Sequence, residues 1–262
     1  MKNLRFSASI KTCLIVLICA FVSTTAYADG YSYNGDTGPG YWAGLDELYT
    51  QCGTDTTQSP IDITKAKRDK TLKALSLELL PTEVDLKNNG HTIEQEYAEG
   101  SSITVDGVEY ELLQFHFHTL SEHTVKGSHQ EMEMHAVFKN AESGNLVVVG
   151  QFFKLGKEND FLAKLVNFLP QMKDDVITDV SEINVAEAFK NTKSYYTYSG
   201  SLTTPPCSPI VTWIVLKKPA TMSADQHKAF RDILGNNFRP IQNLNGRTVK
   251  TTRDKRRKKG KK

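Results

Sequence analysis

The sequence predicts a mainly β fold with helices packed outside a large sheet, and three observations carry that prediction. Short runs rich in β-branched and aromatic residues recur between turn signals along most of the 262 residues. Only two stretches space their apolar residues as a helix does. No repeat or linker divides residues 29–246, and 39% apolar with 24% charged residues is ordinary globular composition, which excludes a disordered chain and leaves one domain.

Residues 1–28 read as an export signal. Lys2, Arg5 and Lys11 precede the apolar "CLIVLICAFV", and "AYA" stands before Asp29. That apolar run is about ten residues where a membrane-crossing helix needs roughly 20, and no later run is longer, so no transmembrane segment is expected. A lipoprotein is the competing reading because of Cys19, but the bulky Ile18 before it does not suit that cleavage. A periplasmic protein is expected, or an extracellular one if the host has a single membrane. Removing the signal takes Cys13 and Cys19 with it. Cys52 and Cys207 then read as one disulfide in an oxidising compartment, with two buried thiols as the alternative.

Residues 31–49 are rich in Gly, Pro and aromatics and predict an irregular, aromatic-packed opening over the core. The strand-like runs follow: "LSLELL", "KNNGHTIEQEY", "SITVDGVEYELLQFHFH", "EMEMHAVFKN", "LVVVGQFFKL" and "PIVTWIVLKK". The two helices are "ENDFLAKLVNFLPQM", which Pro170 ends, and "SADQHKAFRDILG", which a Ser223/Gln226 capping box opens and Gly235 stops. Charge is uneven: residues 29–246 hold 29 acids against 19 bases, whereas the segment from Arg247 holds ten bases against Asp254. Residues 250–262 are therefore expected to be a basic, disordered tail, either solvated without a role or weakly drawn to anionic surfaces.

Three of the seven histidines fall within residues 111–125, "ELLQFHFHTLSEHTV". Alternation along a strand puts Gln114, His116 and His118 on one face and Phe115 and Phe117 on the other. Two histidines at i and i+2 stand about 7 Å apart, close enough for both rings to converge on an ion about 2.0–2.1 Å from each nitrogen. The pattern alone is weak, because it occurs by chance in strands. His135 in "EMEMHAVF" supplies a third ligand from another strand, with Glu133 on the same face to accept its second N–H, as Gln114 can for His116. Three neutral histidines without a thiolate describe a catalytic zinc site rather than a structural one.

These residues resemble the α-class carbonic anhydrases. The resemblance runs from about Tyr31 to Val249 through "GPGYW", "QSPIDI", "NNGHTIEQEY", "QFHFH", "SEHTV", "EMEMHAVF", "YSGSLTTPPC", "VTWIVL" and "NNFRPIQNLNGR", in the family's order. That family is itself the standard example of a three-histidine zinc site whose water has a pKa of about 7. The resemblance implies a domain over residues 29–249 built on a central, mostly antiparallel twisted sheet of about ten strands. It also implies reversible hydration of carbon dioxide to bicarbonate and a proton by zinc-bound hydroxide, with Zn2+ held by His116, His118 and His135. Thr203 matches the threonine that accepts from the hydroxide, and Glu122 the carboxylate that accepts from that threonine. Thr204 matches a bicarbonate contact. Val137, Val148, Leu202, Val211 and Trp213 match the apolar wall for carbon dioxide, and Asn237 matches a residue that supports the zinc histidines through its carbonyl. His91 matches the proton shuttle. His123 is read as structural and His129 as surface. Anions and sulfonamide-type inhibitors are the expected ligands at zinc, and a homodimer is among the expected assemblies.

The sequence also departs from the family. Thr119 replaces a familiar tryptophan in a shortened loop after His118, Tyr31 stands where an N-terminal tryptophan is usual, and Glu94 replaces an asparagine that holds water. Two other readings remain. Cupins also write HxH followed by Glu, though the glycines and later histidine of that fold are missing here. An exported binding protein could instead dock its basic tail on a polyanion.

Overall fold

The structure, a computed structural model, describes residues 30–252. The export signal expected over residues 1–28 and the end of the basic tail therefore lie outside the described residues. The strands in chain order are β1 (Asp62–Ile63), β2 (Lys67–Arg68), β3 (Ser76–Glu78), β4 (Thr82–Asn88), β5 (Ile93–Glu96), β6 (Ser102–Val105), β7 (Val108–His118), β8 (Thr124–Val125), β9 (Met132–Lys139), β10 (Leu146–Leu155), β11 (Val176–Ile183), β12 (Tyr195–Gly200), β13 (Val211–Met222) and β14 (Lys250–Thr251). The α-helices are α1 (Trp42–Leu45), α2 (Gln51–Thr54), α3 (Asp160–Val166) and α4 (Ala224–Leu234).

A 12-stranded sheet dominates, running β11-β4-β5-β7-β9-β10-β13-β12-β14-β2, with β6 paired to β7 and β3 to β6. Most pairings are antiparallel, as expected. Two are parallel, β10 with β13 and β14 with β2, so the sheet is mixed. The parallel pair needs a long return path, and residues 156–210 supply it through α3, β11 and β12. β1 and β8 form a separate two-stranded sheet.

Strand periodicity divides the core. One face of the central strands carries Phe115, Phe117, Met134, Phe138, Val149 and Ile214, packed with Phe161 of α3 and Phe230 of α4. The other face carries Val148, Val211 and Trp213 against Ile61 and Ile63. Both helices form where their spacing placed them, though α3 ends at Val166, before Pro170. Asn159 caps α3 by accepting from the N–H groups of Phe161 and Leu162, and the Ser223/Gln226 capping box of α4 is formed.

The opening residues pack aromatically, with Tyr31, Tyr33 and Tyr49 edge-on around buried Trp42 or each other, but through short helical turns rather than an irregular coil. Cys52 and Cys207 form a disulfide. The domain boundary set at Val249 needs correction: Lys250 and Thr251 pair with β12 and β2, and Thr252 is buried. Backbone pairing on both sides outweighs the local basic composition there. No helix among the described residues is long and apolar enough to cross a membrane.

Candidate metal centre

One irregularity in β7 creates the site. Leu112 opposes Phe138, but after a bulge at Leu113 the register shifts, so that Gln114 opposes Val137, His116 opposes His135 and His118 opposes Glu133. Leu112 lies in the same core cluster as Phe115 and Phe117. With the same residues and no bulge, strict alternation from Leu112 would send His116 and His118 into that core. The bulge turns both imidazoles to the opposite face, beside His135.

The three rings stand with centroids 4.6–5.3 Å apart, and one nitrogen from each lies within 4.8 Å of the others. Two rings have the other nitrogen hydrogen-bonded to a protein oxygen, and the third has it beside a carboxylate without hydrogen-bond geometry. His116 Nδ1 meets Gln114 Oε1 at 2.8 Å, His118 Nδ1 meets the Asn237 carbonyl at 2.7 Å, and His135 Nε2 lies 3.1 Å from Glu133 Oε1. The nitrogens left to converge are Nε2 of His116, Nε2 of His118 and Nδ1 of His135. His118 Nε2 is buried without a hydrogen bond, a cost that a metal ion would remove. Burial pushes the His116 imidazole well below its ordinary pKa, helped by the two neighbouring rings, and burial lowers His118 as well. Neutral rings are what metal coordination requires.

His123, Glu133 and His135 are also close enough to hold an ion, but His123 is already committed. Its Nδ1 lies 2.9 Å from Glu133 Oε1 and its Nε2 2.6 Å from the Tyr198 hydroxyl, which donates to Ser59 Oγ. His123 is thus a hydrogen-bonding residue. Glu133 bridges His123 and His135; burial alone would raise its pKa, yet the two imidazoles hold it well below the usual carboxylate range.

A cavity of about 140 Å³ opens on the three imidazoles. His91, Gln114, Thr203 and Thr204 line it, as do Val148, Leu202 and Trp213. Val137 and Val211 do not reach its surface; they pack behind it with Val148 and Trp213. Larger hollows of about 690 and 670 Å³ lie elsewhere, with no histidine among their lining residues. His91 stacks on Tyr31 with ring centroids 3.9 Å apart, so the tyrosine standing in place of tryptophan packs directly on the proposed shuttle. Glu94 also faces this cavity, and burial, reinforced by Glu96 and opposed by Lys87, raises its pKa to about 7.

Glu122 is fully buried. Its Oε1 accepts from the backbone N–H of Arg239 at 2.8 Å, while Oε2 has no hydrogen bond and lies 3.6 Å from His118 Nε2. Asn237 does more than lend a carbonyl. Its side chain accepts from Thr119 N–H and donates to the carbonyls of His91 and Phe117, joining the loop after His118 to the His91 segment. His129 is exposed, as expected of a surface residue.

The family model of eukaryotic-type carbonic anhydrase matches residues 37–253. The chain belongs to the α-class carbonic anhydrase family. A carbonic anhydrase of Klebsiella pneumoniae is 40% identical over 237 residues, covering 89% of this chain and 96% of its own. Among solved structures, a hyperthermostable carbonic anhydrase from an active hydrothermal vent chimney is 40% identical with a TM-score of 0.81, covering 85% of this chain and 100% of its own. The α-carbonic anhydrase of Thermovibrio ammonificans, in complex with the inhibitor sulfanilamide, is 39% identical with a TM-score of 0.81, covering 85% of this chain and 98% of its own. These carbonic anhydrases account for the order of motifs along the chain. The site reading passed over Gln58 and Arg239, although both lie inside the motifs "QSPIDI" and "NNFRP". Their signal was there, without a role attached.

Proposed function

We propose that this exported carbonic anhydrase reversibly hydrates carbon dioxide at a zinc ion held by His116, His118 and His135. The observation that carries the reading is the convergence of three imidazoles whose outer nitrogens are hydrogen-bonded to Gln114 and Asn237 or stand 3.1 Å from the Glu133 carboxylate. This fixes which nitrogen faces the ion. When bound, zinc supplies a Lewis acid that makes water a nucleophile near neutral pH, a property for which carbonic anhydrase is the standard example.

The remaining steps belong to the chain's own residues. Glu122 has one oxygen held by Arg239 N–H and the other free to accept. Taking the Thr203 hydroxyl proton in a hydrogen bond, it leaves Thr203 able only to accept from the attacking oxygen, which aims that oxygen's lone pair at carbon. Val148, Leu202 and Trp213 offer carbon dioxide an apolar wall with little competition from water. Thr204 lies beside Thr203 on the same cavity wall, and its role is to contact bicarbonate. His91 takes up the released proton and passes it to buffer, since imidazole exchanges protons readily near neutral pH. Anions and sulfonamides bind the same centre and block it. The disulfide between Cys52 and Cys207 supports export to an oxidising compartment, the periplasm in a host with two membranes.

Stopped-flow hydration of carbon dioxide by the zinc-loaded protein tests the proposal. Turnover far above buffer is expected, lost on chelation and restored by zinc. A rate equal to buffer at one bound zinc per chain would overturn it.

A further inference from the structure

Glu122 and Thr203 lie on chain segments 81 residues apart, and their relative placement has to be set by something rigid. Arg239 meets the first segment directly and the second through Gln58. Its backbone N–H donates to Glu122 Oε1 at 2.8 Å. Its guanidinium donates through Nη1 to Gln58 Oε1 at 2.7 Å and the Ser59 carbonyl at 2.8 Å, and through Nη2 to the Cys52 carbonyl at 2.9 Å. Gln58 in turn donates from Nε2 to the Cys207 carbonyl at 3.0 Å. Cys207 N–H closes the turn onto the Thr204 carbonyl. The carbonyls of both disulfide cysteines are thus held by this one side-chain pair.

Both side chains are buried, Gln58 to 4% and Arg239 to 2% exposure. Burying a guanidinium is costly, and burial lowers its pKa to about 10 against the opposing pull of Glu122. A neutral side chain packed under Trp42 would fill the space more cheaply. What it would lack is a rigid planar fork of donors that fixes several acceptors in one geometry.

We propose that Arg239, with Gln58, is a positioning residue for carbon dioxide hydration: the pair sets the Thr203 turn against Glu122. The inference rests on the hydration reading above, because that reading gives Thr203 and Glu122 their task. The pair touches neither substrate nor the imidazoles and acts only through the groups it places. Misplacing Thr203 lowers the rate of the chemical step without weakening zinc binding.

The test uses zinc-loaded Arg239→Met, Arg239→Lys and Gln58→Met, each measured for zinc content, kcat and KM, alone and in a Thr203→Ala background. Arg239→Met is expected to lower kcat about 10- to 100-fold with KM and zinc content unchanged. Arg239→Lys, which restores a charge and some donors, recovers part of the loss. Gln58→Met gives a smaller fall in kcat of the same kind. In the Thr203→Ala background neither change adds a further loss, because the group being placed is gone. Should Arg239→Met fail to fold, Gln58→Met keeps the volume and the guanidinium and decides alone. Unchanged kcat in folded Gln58→Met, or losses that add in full to Thr203→Ala, overturns the inference and leaves the hydration reading intact. An inactive wild-type protein with zinc bound overturns both.

Discussion

At the residue scale the proposed centre works by subtraction: His116 and His118 each have one nitrogen hydrogen-bonded to the protein, His135 has one facing the Glu133 carboxylate, and the other nitrogen of each is left for an ion. His135→Ala removes one of three ligands and is expected to lose zinc, read by metal analysis after dialysis; stoichiometric zinc would refute the assignment. Gln114→Ala keeps all three ligands but frees the outer nitrogen of His116, and zinc affinity is expected to fall about 10- to 100-fold in competition with a chelator. His91→Ala is expected to slow turnover chiefly in weak buffer and to be rescued by added imidazole, whereas a wild type indifferent to buffer concentration would remove the shuttle. His116 and His118 could be proposed from strand alternation alone. Choosing His135 over His123 could not rest on spacing, since both lie near the pair in sequence. The structure separates them by hydrogen bonding: both nitrogens of His123 are committed, to Glu133 and Tyr198, while His135 keeps one.

At the element scale β7 is the decisive piece, because it serves the core with one face and the site with the other. Phe117 sits between His116 and His118 in the chain and packs against Phe115 and Phe230. Phe117→Ala is expected to cost about 3–5 kcal/mol in urea unfolding, because the cavity it leaves lies under helix and sheet alike. Deleting Leu113 takes out only the extra residue and leaves His116 and His118 opposite His135 and Glu133, so zinc binding is expected to persist; loss of zinc from a sheet that circular dichroism shows to be folded would refute that register. The alternation of "QFHFH" was visible in the sequence, but the bulge was not, since an apolar Leu113 reads as an ordinary strand residue. For the same reason β11 escaped notice. It is an edge strand exposed on both faces along most of its length, so it lacks the alternation that half-burial writes into a sequence.

At the scale of the whole molecule, the disulfide ties the opening layer to the turn that carries Thr203 across 155 residues. In the loop-entropy model it contributes at most on the order of 5 kcal/mol, so reduction is expected to lower the urea midpoint clearly. Ending the chain after Thr252 removes eight bases and Asp254. Hydration is expected to persist in that variant while low-salt cosedimentation with anionic vesicles is lost; equal cosedimentation of both forms would leave the tail without that role. The sequence by itself determined the β-dominated fold, the two capped helices, the paired histidines and the order of motifs. All of these are written in local spacing of two or 3.6 residues and in residue chemistry. Only the tertiary structure decided the parallel β10–β13 pairing, the register that sets His116 opposite His135, the extension of the sheet to Thr251, and the Arg239 clamp on Glu122. These depend on contacts between segments far apart in the chain, and such contacts are fixed by competition among whole strand registers and buried hydrogen bonds, which no local pattern records.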